Sequence, residues 1–141
     1  MIESAKTIEF KFERTIPVPP EKAYDAWVNP EMPGTPWQKG NELIMDPKVN
    51  GLFWLLVIVD YPHPHYGRFT ELERPAKIQH TWMSRNTLGL ESVVTVTFVK
   101  KGENTLMTLV HSGLPDAECG RDHEGGWNYF LDTFAEKLAI P

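Results

Sequence analysis

Through most of this chain apolar and polar residues alternate with a period of two, and only the last segment shows the period of a helix. In Asp122 to Ala139, DHEGGWNYFLDTFAEKLA, the residues Trp127, Phe130, Leu131, Phe134 and Leu138 recur three and four apart and so share one helical face. Asn128, Asp132, Glu136 and Lys137 lie away from that face. No other helix-compatible segment carries such a stripe, so the helix must bury it against a sheet. Ile8, Phe10 and Phe12 alternate with Glu9, Lys11 and Glu13, which predicts a first strand over Thr7 to Thr15. Arg14 has the inward parity near that strand's end, where it reaches either the rim or an anionic group inside.

Pro17, Pro19 and Pro20 stop the strand, and Pro20 suits the first position of a helix that runs to Val28 with Ala23, Tyr24 and Trp27 as its packed face. Asn29-Pro30 ends it. Pro33, Gly34, Pro36 and Gly40 then leave room for one helical turn around Trp37, a side chain that either plugs the core or lids a pocket. The rest reads as strands over Leu43 to Pro47, Leu52 to Asp60, Gly67 to Glu73, Lys77 to Ser84, Glu91 to Lys100 and Thr105 to Ser112. Asn50-Gly51 supplies the positive φ angles of a tight hairpin. Tyr61 to Tyr66, YPHPHY, reads as too proline-rich to pair, and Arg74-Pro75-Ala76, Asn86 to Leu90 and Gly102-Glu103-Asn104 mark the other breaks. The expectation is a single α+β domain over residues 1–141, with two short helices after the first strand, a curved antiparallel meander and a long C-terminal helix.

Composition narrows the function classes. With 41% hydrophobic and 23% charged residues in 141, the chain has the balance of a soluble globular domain. Its net charge is −5 and its 14 Lys and Arg residues form no run, so no nucleic acid partner is expected. MIESAKTIEF has no apolar leader core and no apolar run approaches the roughly twenty residues of a membrane helix, so a cytoplasmic location and no membrane partner are expected. Cys119 is the only cysteine, which excludes an intramolecular disulfide and reads as an unreactive loop thiol.

Candidate chemistry is sparse. His63 and His65 have a spacing that metal ligands use, but Pro64 between them marks an exposed turn and no third ligand adjoins them, so no metal and no cofactor are assigned. Gly125-Gly126 lacks the lysine of a phosphate loop, and neither a Gly-x-Ser-x-Gly elbow nor a His-Glu-x-x-His helix is present. Strand parity is more informative. The parity of Ile78 carries His80 and Trp82 inward, and that of Met107 and Leu109 carries His111. Each imidazole could be a hydrogen-bonded core ring, but two beside Trp82 and Trp127 favour a cavity with a few polar anchors.

The segments FKFERTIPVPPEKAYDAWVNPE, GRFTELERPAKIQHTW, ESVVTVTF, TLMTLVHSGLP and HEGGWNYFLDTFAEKL, in this order over nearly the whole chain, resemble the activator of heat-shock protein 90 ATPase homologue family of the START-like, or SRPBCC, superfamily. The resemblance implies the helix-grip fold of the major birch pollen allergen and the polyketide cyclases, in which a bent seven-stranded antiparallel sheet grips the final helix over a cavity. By position it implies that Phe53, Leu55, Val57, Val94, Val96, Phe98, Met107, Leu109 and His111 face that cavity. Parity and resemblance together assign Phe53, His80, Trp82, Val96, Leu109, His111, Trp127 and Phe130 to a ligand site.

Three functions follow from this as expectations. The first is non-enzymatic binding of a hydrophobic or amphipathic small molecule. A co-chaperone that activates a heat-shock ATPase ranks below it, because the eukaryotic branch that names the family carries an extra N-terminal domain without a counterpart here. The third is a cyclase- or hydrolase-like enzyme with His80 or His111 as general acid or base, but no carboxylate is placed beside either, so no catalytic residue is assigned. One departure from the family matters: Phe53 to Val59, FWLLVIV, has no polar residue on either face. The outward row Leu52, Trp54, Leu56 and Ile58 is therefore expected to form a homodimer contact.

Overall fold

In the computed structural model, which describes residues 6–39, 42–58 and 60–140, the alternating stretches become seven strands. These are β1 (Thr7–Ile16), β2 (Glu42–Met45), β3 (Leu52–Ile58), β4 (Pro62–Glu73), β5 (Lys77–Ser84), β6 (Ser92–Lys101) and β7 (Asn104–Pro115). Gly40, Val59 and the leader reading of the first five residues lie outside the described residues. The helices are α1 (Pro20–Trp27), α2 (Pro36–Lys39), α3 (Glu118–Arg121) and α4 (His123–Leu138), with a 3-10 turn over Arg85–Thr87. The strands form one antiparallel sheet in the order β1-β7-β6-β5-β4-β3-β2, the curved meander expected.

Register explains the core. Phe10 pairs with His111, His111 with Val94, Val94 with His80 and His80 with Phe69, so one row crosses five strands on the inner face. A second row joins Phe12, Leu109, Val96 and Ile78, all buried. Against these rows α4 lays Trp127, Leu131 and Phe134, the middle of its apolar stripe, with Phe130 and Leu138 partly buried at the margin. Each large side chain taken fully out of water contributes about 1.5–3 kcal/mol, so the helix and sheet hold one another through these residues.

Two loops lock α4 in place. Trp27 at the end of α1 meets Phe134 edge-on at 5.2 Å and lies 6.4 Å from Trp127. Gly34 has φ +87°, and a Cβ there would stand 2.3 Å from the backbone nitrogen of Phe134, so only glycine lets this loop press onto the helix. Arg14 resolves to the rim: Nε donates to Asp132 Oδ1 at 2.8 Å and Nη2 to Asn128 Oδ1 at 2.7 Å, tying β1 to α4.

Three local expectations are corrected. YPHPHY pairs after all, with His63 opposite Val57 and His65 opposite Leu55. The ladder from β4 to β5 starts only at His65 and Ser84, so Pro62 and Pro64 stand where the far side has no strand and a missing N–H breaks no ladder. His65 is consequently not an exposed turn residue but buried, its ring 4.9 Å from Trp82. Asn50-Gly51 is not a two-residue turn: Asn50 alone has positive φ, at 68°, and the β2–β3 loop spans Asp46 to Gly51. Glycine is needed at 51 because a Cβ would lie 2.0 Å from the Asp46 carbonyl oxygen.

Candidate functional site

The inner face splits into a filled part and an open part. Trp37, held by α2, donates its Nε1–H to the Trp27 carbonyl at 3.1 Å and packs its ring 4.9 Å from Phe53 and 5.4 Å from His80. Trp37 is thus a plug. Phe53, His80, Val96 and Leu109 lie in this packed region, each at most 2% exposed. Trp82, Trp127 and Phe130 instead border a pocket of about 220 Å³, together with His65, Asn86, Cys119, Asp122, His123 and Gly126. The pocket opens between the first turns of α4 and the 3-10 turn after β5.

His111 stands directly behind this wall and is fully committed. An indole N–H can only donate, so the 2.8 Å bond from Trp127 Nε1 makes His111 Nδ1 the acceptor and puts its proton on Nε2. That proton goes to Ser92 Oγ at 2.8 Å, and the Ser92 hydroxyl donates to the Trp82 carbonyl. The chain Trp127–His111–Ser92–Trp82 therefore ties the Trp127 indole to the Trp82 backbone from behind the pocket. Burial pushes the His111 ring down to about 2, so it is neutral at any physiological pH.

Burial lowers three further imidazoles, those of His65, His80 and His123. Burial pushes His65 down to about 4, although its Nδ1–H donates to the His63 carbonyl at 2.9 Å. His80 is also held at about 4 by burial, with Nδ1–H given to the Thr81 carbonyl at 2.8 Å. His123, at the first position of α4, is lowered by burial too, and it shares its Nδ1–H between the carbonyls of Cys119 and Gly120. Among the described residues Trp27 Nε1, His80 Nε2 and Trp82 Nε1 are buried without a hydrogen-bond partner, and of the three only Trp82 borders the pocket. Such atoms are costly in a sealed core, which makes Trp82, on the pocket wall, the natural donor for something inside.

Asn86 reaches the pocket because Ser84 and Thr87 cap the 3-10 turn: Ser84 Oγ accepts from Asn86 N at 3.0 Å and Thr87 Oγ1 from Ser84 N at 3.1 Å. Sequence reasoning missed His65, Asn86, Cys119, Asp122, His123 and Gly126 as pocket residues. Only His65 had a signal, since it shares the inward parity of Gly67 and Phe69 once the proline run is admitted as strand. Among the described residues no group of three His, Cys, Asp or Glu side chains is placed to hold a metal ion, and no helix is long and apolar enough to cross a membrane.

Comparison with known proteins supplies the family. A search of curated proteins returned no significant match. A protein of Chromobacterium violaceum superposes with a TM-score of 0.80 at 20% identity, over 94% of this chain and 98% of the other. An HSP90 activator from Plasmodium falciparum superposes with a TM-score of 0.75 at 27% identity, over 94% of this chain and 97% of the other. A norcoclaurine synthase from Thalictrum flavum, at 12% identity and a TM-score of 0.71 over 98% of both chains, shares the fold. Residues 17–139, from the proline run after β1 to the end of α4, match the family described as Activator of Hsp90 ATPase homolog 1-like protein, and the chain belongs to that family.

Proposed function

We propose that this protein binds a small hydrophobic or amphipathic molecule, without turnover, in the pocket walled by Trp82, Trp127 and Phe130. The observation that carries the reading is an aromatic wall that includes a buried, unpartnered indole N–H beside imidazoles held neutral. At about 220 Å³ the pocket is smaller than the roughly 300 Å³ where drug-sized sites begin, so the occupant is compact or extends from the mouth. With no cation among its lining residues and Asp122 its one carboxylate, the pocket favours a neutral or cationic head group over an anionic one. The residues Phe53, His80, Val96, Leu109 and His111 support the site from behind, and Trp82, Trp127 and Phe130 touch the ligand.

Gly126 makes the proposal testable. Glycine inside a helix costs about 0.5–1 kcal/mol relative to alanine, yet a Cβ at Gly126 would meet nothing within 4 Å. A Gly126→Phe variant should therefore fold at least as well as the native chain while its ring fills the pocket. Titration with Nile red, a neutral apolar fluorophore, is expected to quench tryptophan emission in the native protein and to have no effect on the variant. Equal quenching in both would put the ligand elsewhere.

A second reading is favoured by one observation, the 27% identity to an HSP90 activator along almost the whole fold. In it the chain stimulates a heat-shock ATPase through its surface, and a coupled ATPase assay with and without the protein tests it. An enzymatic role for His111 has no such support, because both of its ring nitrogens are engaged. His80, fully buried, has no hydrogen-bonded carboxylate to tune it as an acid or base.

A further inference from the structure

The outer face of the sheet is divided in chemistry. On β6, β7 and β1 it mixes Thr95, Thr97, Thr108, Glu9, Lys11 and Glu13 with the aliphatic Val93, Val99, Leu106 and Val110 and carries no aromatic ring. On β2 to β5 the register instead lines up Ile44, Trp54, Tyr66 and Met83 in one cross-strand row. Leu52 and Leu56 flank this row on β3. Ile44 is 64% exposed, Leu52 56% and Tyr66 45%. A depression of about 520 Å³ lies over the row, and its only charged lining residues are Arg68 and Glu91. A contiguous apolar area of this kind on one half of a sheet marks a contact surface.

We infer that this face pairs with the same face of a second copy of the chain in a two-fold dimer. The choice of occupant rests on charge. Arg68 flanks the row beside Tyr66 on β4, and Glu91 closes it beyond Met83, just before β6. Among the described residues neither carries an ion pair, the Arg68 guanidinium donating only to the Asn50 carbonyl at 2.8 Å. One cation and one anion at different margins of an apolar centre make the patch electrically neutral within a chain of net charge −5. An isologous contact sets each margin against the other, so Arg68 of each copy meets Glu91 of its mate while the aromatic rows bury one another. A strongly acidic or basic partner finds no matching excess of charge here. The inner pocket lies on the opposite face, so this pairing stands or falls independently of ligand binding.

The test is a mixing experiment read by sedimentation velocity from about 1 to 100 μM, the range in which a modest interface populates both states. The native protein is expected to run as a dimer over the upper part of that range. Arg68→Glu alone and Glu91→Arg alone each set like charges together and should weaken the dimer by at least about tenfold. Mixed one to one, the two variants restore opposite charges at both margins and should recover the dimer. The double variant Trp54→Glu, Leu56→Lys, with circular dichroism as a check on folding, should be monomeric. A native protein that stays monomeric throughout the range overturns the proposal, and so does a mixture no tighter than its components. A dimer that persists in the folded Trp54→Glu, Leu56→Lys variant overturns it as well, since the contact then lies on another surface.

Discussion

Replacing Trp127 by alanine is expected to leave the protein largely unfolded. Truncating a large aromatic in a core costs about 3–5 kcal/mol. Here the loss also strips His111 Nδ1 of its only donor inside a dry wall, which adds about 1–3 kcal/mol. Domains of this size hold only about 5–15 kcal/mol in total. Phe134→Ala, which removes the ring that meets Trp27 edge-on, should come close behind at about 3–5 kcal/mol. Trp127→Phe separates the two contributions, because it keeps an aromatic ring and loses only the N–H. Urea unfolding followed by circular dichroism measures all three, and losses under about 1 kcal/mol for both alanine variants would mean that α4 lies on the surface rather than in the grip of the sheet.

Acid should unfold the protein well above the range in which carboxylates usually titrate. His65 and His80 bind protons more weakly when folded, near 4, than at the ordinary imidazole value of 6.5, and His111 more weakly still. The unfolded chain therefore takes up protons first as pH falls. The stability at stake is complete above about pH 6.5 and drains as pH drops from there towards 4 for His65 and His80, with His111 continuing lower. A shift of that size corresponds to about 3 kcal/mol for each of the two rings. Together they approach the whole of a small domain's stability. The urea midpoint should fall steeply between about pH 6.5 and 4.5, and His80→Leu should flatten the slope. A midpoint that stays level down to pH 4.5 would show that the rings accept protons without leaving the fold.

How legible the molecule was depends on what each feature is made of. Alternation in Ile8-Phe10-Phe12 and the three-four spacing of Trp127-Phe130-Leu131-Phe134 are local patterns, and β1 and α4 came out within a residue of their observed ends. Parity also placed His80, Trp82 and His111 on the inner face. The proline run misled because the rule against proline in strands assumes a partner on both sides, and β4 has only one there. Trp37 left two fates open in the sequence, and only the docking of its loop against β3 to β5 decides for the plug. The pocket was least legible of all. His65, Asn86 and His123 come from three separate elements and meet because of how the 3-10 turn and α4 sit on β4, which no local spacing encodes.

The tie between the two ends of the chain sets an order of events during synthesis. β1 is translated first, yet its ladder partner is β7, and its Arg14 finds Asp132 118 positions later. The strand with the alternating Phe10 and Phe12 must therefore wait with an unsatisfied edge until β7 has left the ribosome. The β2 to β6 hairpins, by contrast, can zip in sequence as they emerge, because each pairs with its immediate neighbour. Closure of a loop this long carries an entropic cost before any contact rewards it, so refolding belongs to the millisecond-to-second regime of non-local β topologies. The first strand made is the last one placed, and a nascent chain stalled before residue 104 would hold a meander whose N-terminal strand has no ladder partner and no gripping helix.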